Sequence, residues 1–378
     1  MNRRYHELDS LRGIAAMTIF LFHITMFLPD TWREGAIWDS IFLSPLHIFI
    51  IGEQPVILFF VLSGFVLSLP FFSGKNTSYL PFIMKRVIRL YVPYVVSIIF
   101  TMILFSWFSS RGIEGMGTLF NMLWVDPVNA QMISDHLLFL GNYNVYSFNI
   151  VIWTLIHEMR ISLIIPFLIA LVIRYSWKVN LAFGIMLAML GAGFHLVLQE
   201  PYQPLYKTLF YVVMFIVGII LSKHRLYLIE WFQSLPQKNK VFLTIIAIVL
   251  YSYADLFGNP MLVDWITTMG VALLLVISLA SQRTAKILLW KPRQFLGKVS
   301  YSLYLYHLPL LLSLIYIFYG KLSLPIIAGL SIILTMLVSN IAWMLVERPS
   351  IKLGNKLSEK FTVKTVPTVM NEEEEMIK

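Results

Sequence analysis

The chain is 378 residues long, 58% hydrophobic and only 13% charged, with a mean hydropathy of +0.76, which leaves too little polar surface for a soluble globule. This is the composition of an integral membrane protein. The net charge of +9 is read as topology and not as a nucleic-acid footprint, and the lack of cysteine excludes disulfides, thiolate metal sites and an acyl-cysteine intermediate.

In chain order, apolar runs near 11–29, 54–72, 91–108, 152–173, 179–198, 205–222, 241–257, 262–281, 299–319 and 324–346 each approach the roughly 20 residues that cross a bilayer core. The expectation is an all-α polytopic protein with about ten transmembrane helices over residues 1–350, followed by a disordered tail, 351–378, ending in the acidic run "NEEEEMIK". The first run lacks a small-residue cleavage site and reads as a span, not a signal peptide. With the N-terminus inside, every Lys and Arg except Arg33, Arg111, Arg160, Lys207 and Lys321 falls on the inner side, so both termini are expected in the cytoplasm.

The first span, "LDSLRGIAAMTIFLFHITMFL", carries Arg12 and His23. An ionisable group inside a membrane costs several kcal/mol, roughly 2.5 to 3.5 for Arg or Lys at mid-depth, and is a functional hypothesis by default. At about 100° per residue both side chains share one helix face, roughly 16 Å apart along the axis. Residues 36–51 are apolar but broken by Pro45, which suits an interfacial or re-entrant segment. In "FFVLSGFVL", Ser63 and Gly64 are read as a small-residue packing spot.

The third span opens with "MKRVIRLYVPY", where Arg86 and Arg89 share a face and form a fork suited to phosphate. The competing reading is a basic anchor on lipid headgroups. Pro93 is expected to interrupt the helix one turn later. The outer loop 109–150, with Trp124, Pro127, Asn142 and Tyr143, is long enough to be a candidate acceptor surface. The fourth span begins "IWTLIHEMRISL", with Trp153 suited to an aromatic belt and Glu158 at nearly the depth of His23. A carboxylate there would orient the imidazole; the alternative pairs Glu158 with Arg160 or Arg111. The ninth span, "GKVSYSLYLYHLPLLL", holds Tyr301, Tyr304 and His307, the histidine being either interior or catalytic. Glu347 beside Arg348 reads as an edge ion pair. No metal-ligand cluster, phosphate loop or internal repeat is recognisable.

"LDSLRGIAAMTIFLFH", "FFVLSGFVLS", "KRVIRLYVPY", "WTLIHE", "VSYSLYLYHLP" and "ERP", in this order, resemble the acyltransferase family 3 of bacterial membrane O-acyltransferases. The resemblance covers roughly residues 7–350 and implies a multi-pass protein of the bacterial inner membrane. It further implies transfer of an acyl group, usually acetyl, from cytoplasmic acetyl-CoA to a carbohydrate or lipid-linked glycan, with acyl-CoA as substrate and no resident cofactor. On it His23 and Glu158 are the catalytic candidates, His23 as general base or acyl carrier. Arg12, Arg86 and Arg89 bind the donor, and Trp153, Tyr301, His307 and Glu347 are further candidates. The family's fourth-span serine is replaced by Thr154. Some members carry an added extracytoplasmic domain that completes transfer, which leaves two alternatives here: an accessory transferase subunit as partner, or an acceptor met directly. The alternative is a transporter or flippase for a lipid-linked glycan, using His23 and Glu158 as a proton relay.

Overall fold

The computed structural model describes residues 5–73, 78–108 and 112–361. Its helices are α1 His6–Phe27, α2 Ala36–Leu43, α3 Gln54–Phe72, α4 Tyr79–Phe108, α5 Thr118–Asn121, α6 Ala130–Leu138, α7 Ile152–Arg174 and α8 Trp177–Leu198. There follow α9 Leu205–Lys223, α10 Arg225–Ser234, α11 Gln237–Ser252, α12 Pro260–Ala280, α13 Gln282–Leu288, α14 Lys291–Phe318, α15 Leu324–Ala342 and α16 Arg348–Glu359. Among the described residues nine helices are long and apolar enough to cross a membrane. The run read as a seventh span, 241–257, falls short. Its helix α11 has 16 residues and gives way to a 3-10 turn at Ala254–Phe257.

The bundle is organised around α1 and α14, which lie side by side along their lengths. Gly13 and Gly297 set that contact: a Cβ on Gly13 would meet the backbone at Leu296 and Gly297, and one on Gly297 would meet the backbone at Asp9 and Ser10. Two missing side chains let the backbones touch. A second close pair joins α3 to α9, where Gly64 abuts Phe215 and Gly218 abuts Val61. Helix α14 is the most enclosed span, apolar and hydroxyl side chains alike being buried from Val299 to Ile315.

Two expectations are revised. Pro93 lies within an unbroken α4 instead of ending it. Its missing N–H leaves a carbonyl of the preceding turn without a helical partner, and nearby the carbonyl of Leu90 accepts the Tyr301 hydroxyl at 2.8 Å. The stretch expected to be a disordered tail from 351 is helical through Glu359. A π-helical turn at Trp343–Glu347 swings α16 onto α4, where Gly354 rests against Lys85 and Ile88. The acidic run 371–375 lies outside the described residues.

The segment after α4 folds back over the bundle. The hydroxyls of Tyr91 and Tyr94 donate to the carbonyls of Leu137 and His136, both at 2.7 Å. Trp124 donates its indole N–H to the Phe148 carbonyl at 2.8 Å. The backbone N–H of Gly117 reaches the carbonyl of Phe27 at the end of α1 at 3.1 Å.

Candidate active site

His23 and His307 meet inside the bundle. The separation from Gly13 to His23 equals that from Gly297 to His307, so two parallel helices touching at the glycines bring the imidazoles face to face. His23 Nδ1 lies 3.1 Å from His307 Nε2, with His23 8% exposed and His307 fully enclosed. The protons can be assigned from the acceptors. His307 Nδ1 is 3.0 Å from the Leu303 carbonyl, which only accepts, so Nδ1 carries the proton and Nε2 holds a lone pair. His23 must then donate from Nδ1, which leaves its Nε2 as the free base.

The orienting partner of His23 is therefore His307 and not Glu158. Glu158 sits in a separate buried knot, where it pairs with the Arg86 guanidinium and accepts from Ser63 Oγ at 2.8 Å. Arg86 Nε donates to Ser162 Oγ at 3.1 Å. Neither Arg160 nor His157 joins this knot. Arg160 holds the carbonyls of Leu140, Gly141 and Gln203, while His157 bonds Thr208 at 2.8 Å and Gln203 at 2.9 Å. Arg111 lies outside the described residues. Trp153 packs edge-on to His157, ring centres 6.0 Å apart, away from the paired imidazoles.

Arg12 and Arg89 face a different space, a vestibule of about 630 Å³ where α1 and α14 begin. Lys291, Lys298, Arg348 and Lys352 also line it, against Asp9 and Glu347. Trp343 steadies two of these cations, with Lys298 Nζ 3.8 Å and the Arg348 guanidinium 5.7 Å from its ring centre. Glu347, expected to pair with Arg348, is 5% exposed and accepts from Ser302 Oγ at 2.8 Å. Sharing the walls Arg12, Ser300 and Tyr301, a narrow crevice continues inward past Glu158 and Thr154 to Tyr304. Tyr304 is bonded to Thr154 Oγ1 at 2.7 Å, and its ring lies 6.0 Å from that of His307. Thr154 thus presents a hydroxyl to the end of this crevice.

Sequence reading missed several of these groups. Ser63, expected as a packing residue, donates to Glu158. Ser162 and Ser302 are small residues in apolar spans, with nothing in their spacing to single them out. The equal Gly-to-His separations in α1 and α14 were the available signal for the imidazole pair.

The fold is that of a polytopic helical membrane protein with a basic vestibule leading toward two paired imidazoles. A family model described as an acyltransferase domain matches residues 5–344, and the chain belongs to this acyltransferase family 3. No curated protein and no solved structure matches it.

Proposed function

We propose that this membrane acyltransferase moves an acetyl group from acetyl-CoA to a hydroxyl of a cell-surface carbohydrate or glycolipid, working in a bacterial inner membrane with its vestibule toward the cytoplasm. The observation that carries the reading is that the basic vestibule shares walls with a crevice ending at Tyr304, whose ring lies 6.0 Å from that of His307. A coenzyme is a polyanion on a narrow thioester arm. Arg12 and Arg89, backed by Lys298 and Arg348, take its phosphates, arginine offering the bidentate fork that phosphate favours. The arm passes Tyr301 and ends at Tyr304. Arg86 contributes by holding Glu158 and the crevice wall.

His23 Nε2 acts as general base, a step typically worth 10² to 10⁴ in rate. It takes the acceptor hydroxyl proton as the oxygen attacks the thioester carbonyl. The tetrahedral adduct then expels the thiolate, which recovers that proton to leave CoA and the new ester. Donation from His23 Nδ1 to His307 holds the ring in the tautomer this requires.

The test is CoA release from acetyl-CoA by membranes carrying the protein. Release that depends on added acceptor and is lost in His23→Ala supports the reading. Acceptor-independent release lost in the same variant puts the acyl group on His23 itself. Leaflet transfer of a lipid-linked glycan without any CoA release would establish a flippase instead.

A further inference from the structure

A second cavity, of about 320 Å³, opens on the folded-back segment between α4 and α7, its walls including Asp126, Gln131, Asp135, His136, Tyr143 and Asn144. It shares no wall with the vestibule. His136 is 1% exposed, and its Nδ1 lies 2.8 Å from the Met132 carbonyl, so Nδ1 carries the proton. That makes Nε2 a lone-pair acceptor, and it is buried with no hydrogen-bond partner. Leaving such a group unsatisfied is costly, and a ligand O–H or N–H would satisfy it. Burial pushes the imidazole down to about 4, so the lone pair persists at neutral pH.

The other walls ask for the same chemistry. Gln131 donates to Asp135 at 2.7 Å and Asn144 to Asp126 at 3.3 Å, which fixes two carboxylates that can accept further donors. None of the described residues lining the cavity is cationic, so nothing there would welcome a carboxylate or phosphate. Nor do three metal-ligating groups converge anywhere among the described residues, so the carboxylates are not part of a metal-ligand cluster. Tyr143 lies 4.5 Å from the His136 ring, centre to centre, and adds an aromatic wall. The volume falls at the lower end of small-molecule sites.

We infer that this pocket is a docking subsite for the acceptor, and that it takes a saccharide presenting hydroxyl and amine donors and no anionic group. The ligand's role as acceptor rests on the acyl-transfer reading above; its binding does not. Amines are favoured by the two carboxylates, hydroxyls by His136 Nε2, and acidic glycans are excluded by charge.

The experiment is calorimetric titration of the purified full chain in detergent with a glucosamine tetrasaccharide and, separately, a galacturonate tetrasaccharide. The amino sugar should bind and the uronate should not. Asp126→Asn with Asp135→Asn should weaken the amino sugar at least tenfold. Asp126 is exposed and Asp135 half-buried, and asparagine matches aspartate in size, so these substitutions leave the core intact. His136→Phe keeps the ring but removes the lone pair, and should also weaken binding. The inference is overturned if wild type does not bind the amino sugar, if the uronate binds as tightly, or if the double Asn variant is unchanged. A coenzyme A titration of the same samples reports on the vestibule alone, so its failure would count against the donor site while leaving this pocket standing.

Discussion

His23 Nδ1 and His307 Nε2 approach to 3.1 Å, and the hydrogen bond from His307 Nδ1 to the Leu303 carbonyl fixes which of them donates. On the proposed mechanism His307 positions His23 and is not itself a catalytic group. His23→Ala should lower the transfer rate by about 10²- to 10⁴-fold. His307→Ala should lower kcat by one to two orders of magnitude, on the scale of losing one oriented hydrogen bond in the site, with the KM for acetyl-CoA unchanged. His307→Gln, whose amide oxygen can accept in place of Nε2, should recover part of the loss. Equal rates for the Ala and Gln variants would remove the positioning role.

The Arg86–Glu158 pair is buried on both sides, at 6% and 7% exposure. Removing one partner strands a charge in a low-dielectric interior, which typically costs about 3–5 kcal/mol. Glu158→Ala should thus lower the unfolding temperature sharply in detergent. Replacing both, as Arg86→Met with Glu158→Leu, should restore much of that stability because no charge is stranded. Arg89→Lys should leave stability alone and weaken coenzyme A binding, since Arg89 faces the vestibule. Thermal unfolding and a coenzyme A titration on the same three variants separate the two arginines. Equal effects of the double Arg86/Glu158 change and of the Arg89 change on both measurements would show that the buried pair and Arg89 act as one unit.

His136 gives a pH dependence whose sign can be worked out. Its folded value of about 4 lies below the ordinary histidine value near 6.5, so the unfolded chain binds the proton first. Its contribution to stability is complete above about pH 6.5 and drains away as pH falls toward 4, at about 1.4 kcal/mol per pH unit. Between pH 6.5 and 5 the unfolding temperature should therefore fall, and His136→Phe should flatten that fall. An identical slope in the variant would place the acid sensitivity elsewhere.

How much of this was legible in the sequence follows from what each signal depends on. Span positions come from hydropathy alone, and all but one of the runs emerged as helices of crossing length. Arg12, His23, Arg86, Glu158 and His307 stood out because a titratable group in an apolar run is expensive. Their partners did not. Pairing depends on which helices adjoin and in what register, and that is set by Gly13 against Gly297 and Gly64 against Phe215, contacts a linear reading treats as neutral. Depth matching within single helices therefore assigned Glu158 to His23, whereas helix contact gave Glu158 to Arg86. The helix α16 was hidden for a similar reason: its low hydropathy resembles a tail until α4 is there to receive it.

Pro309 and Asn149 form a pair whose energetics can be isolated. Proline has no N–H for the carbonyl four residues earlier, so the Leu305 carbonyl inside α14 lacks its helical donor. Asn149, fully enclosed, supplies one from another segment, its Nδ2 lying 2.9 Å from that carbonyl. Asn149→Ala should leave a buried carbonyl unsatisfied and lower stability by about 1–3 kcal/mol. Pro309→Ala provides an N–H that can bond Leu305 within the helix, so in that background the same Asn149→Ala change should cost markedly less. The coupling in this double-mutant cycle, read from denaturant or thermal unfolding of the purified protein, should be of the order of 1 kcal/mol. Strict additivity would mean that the asparagine is held by its packing and not by the carbonyl that the proline exposes.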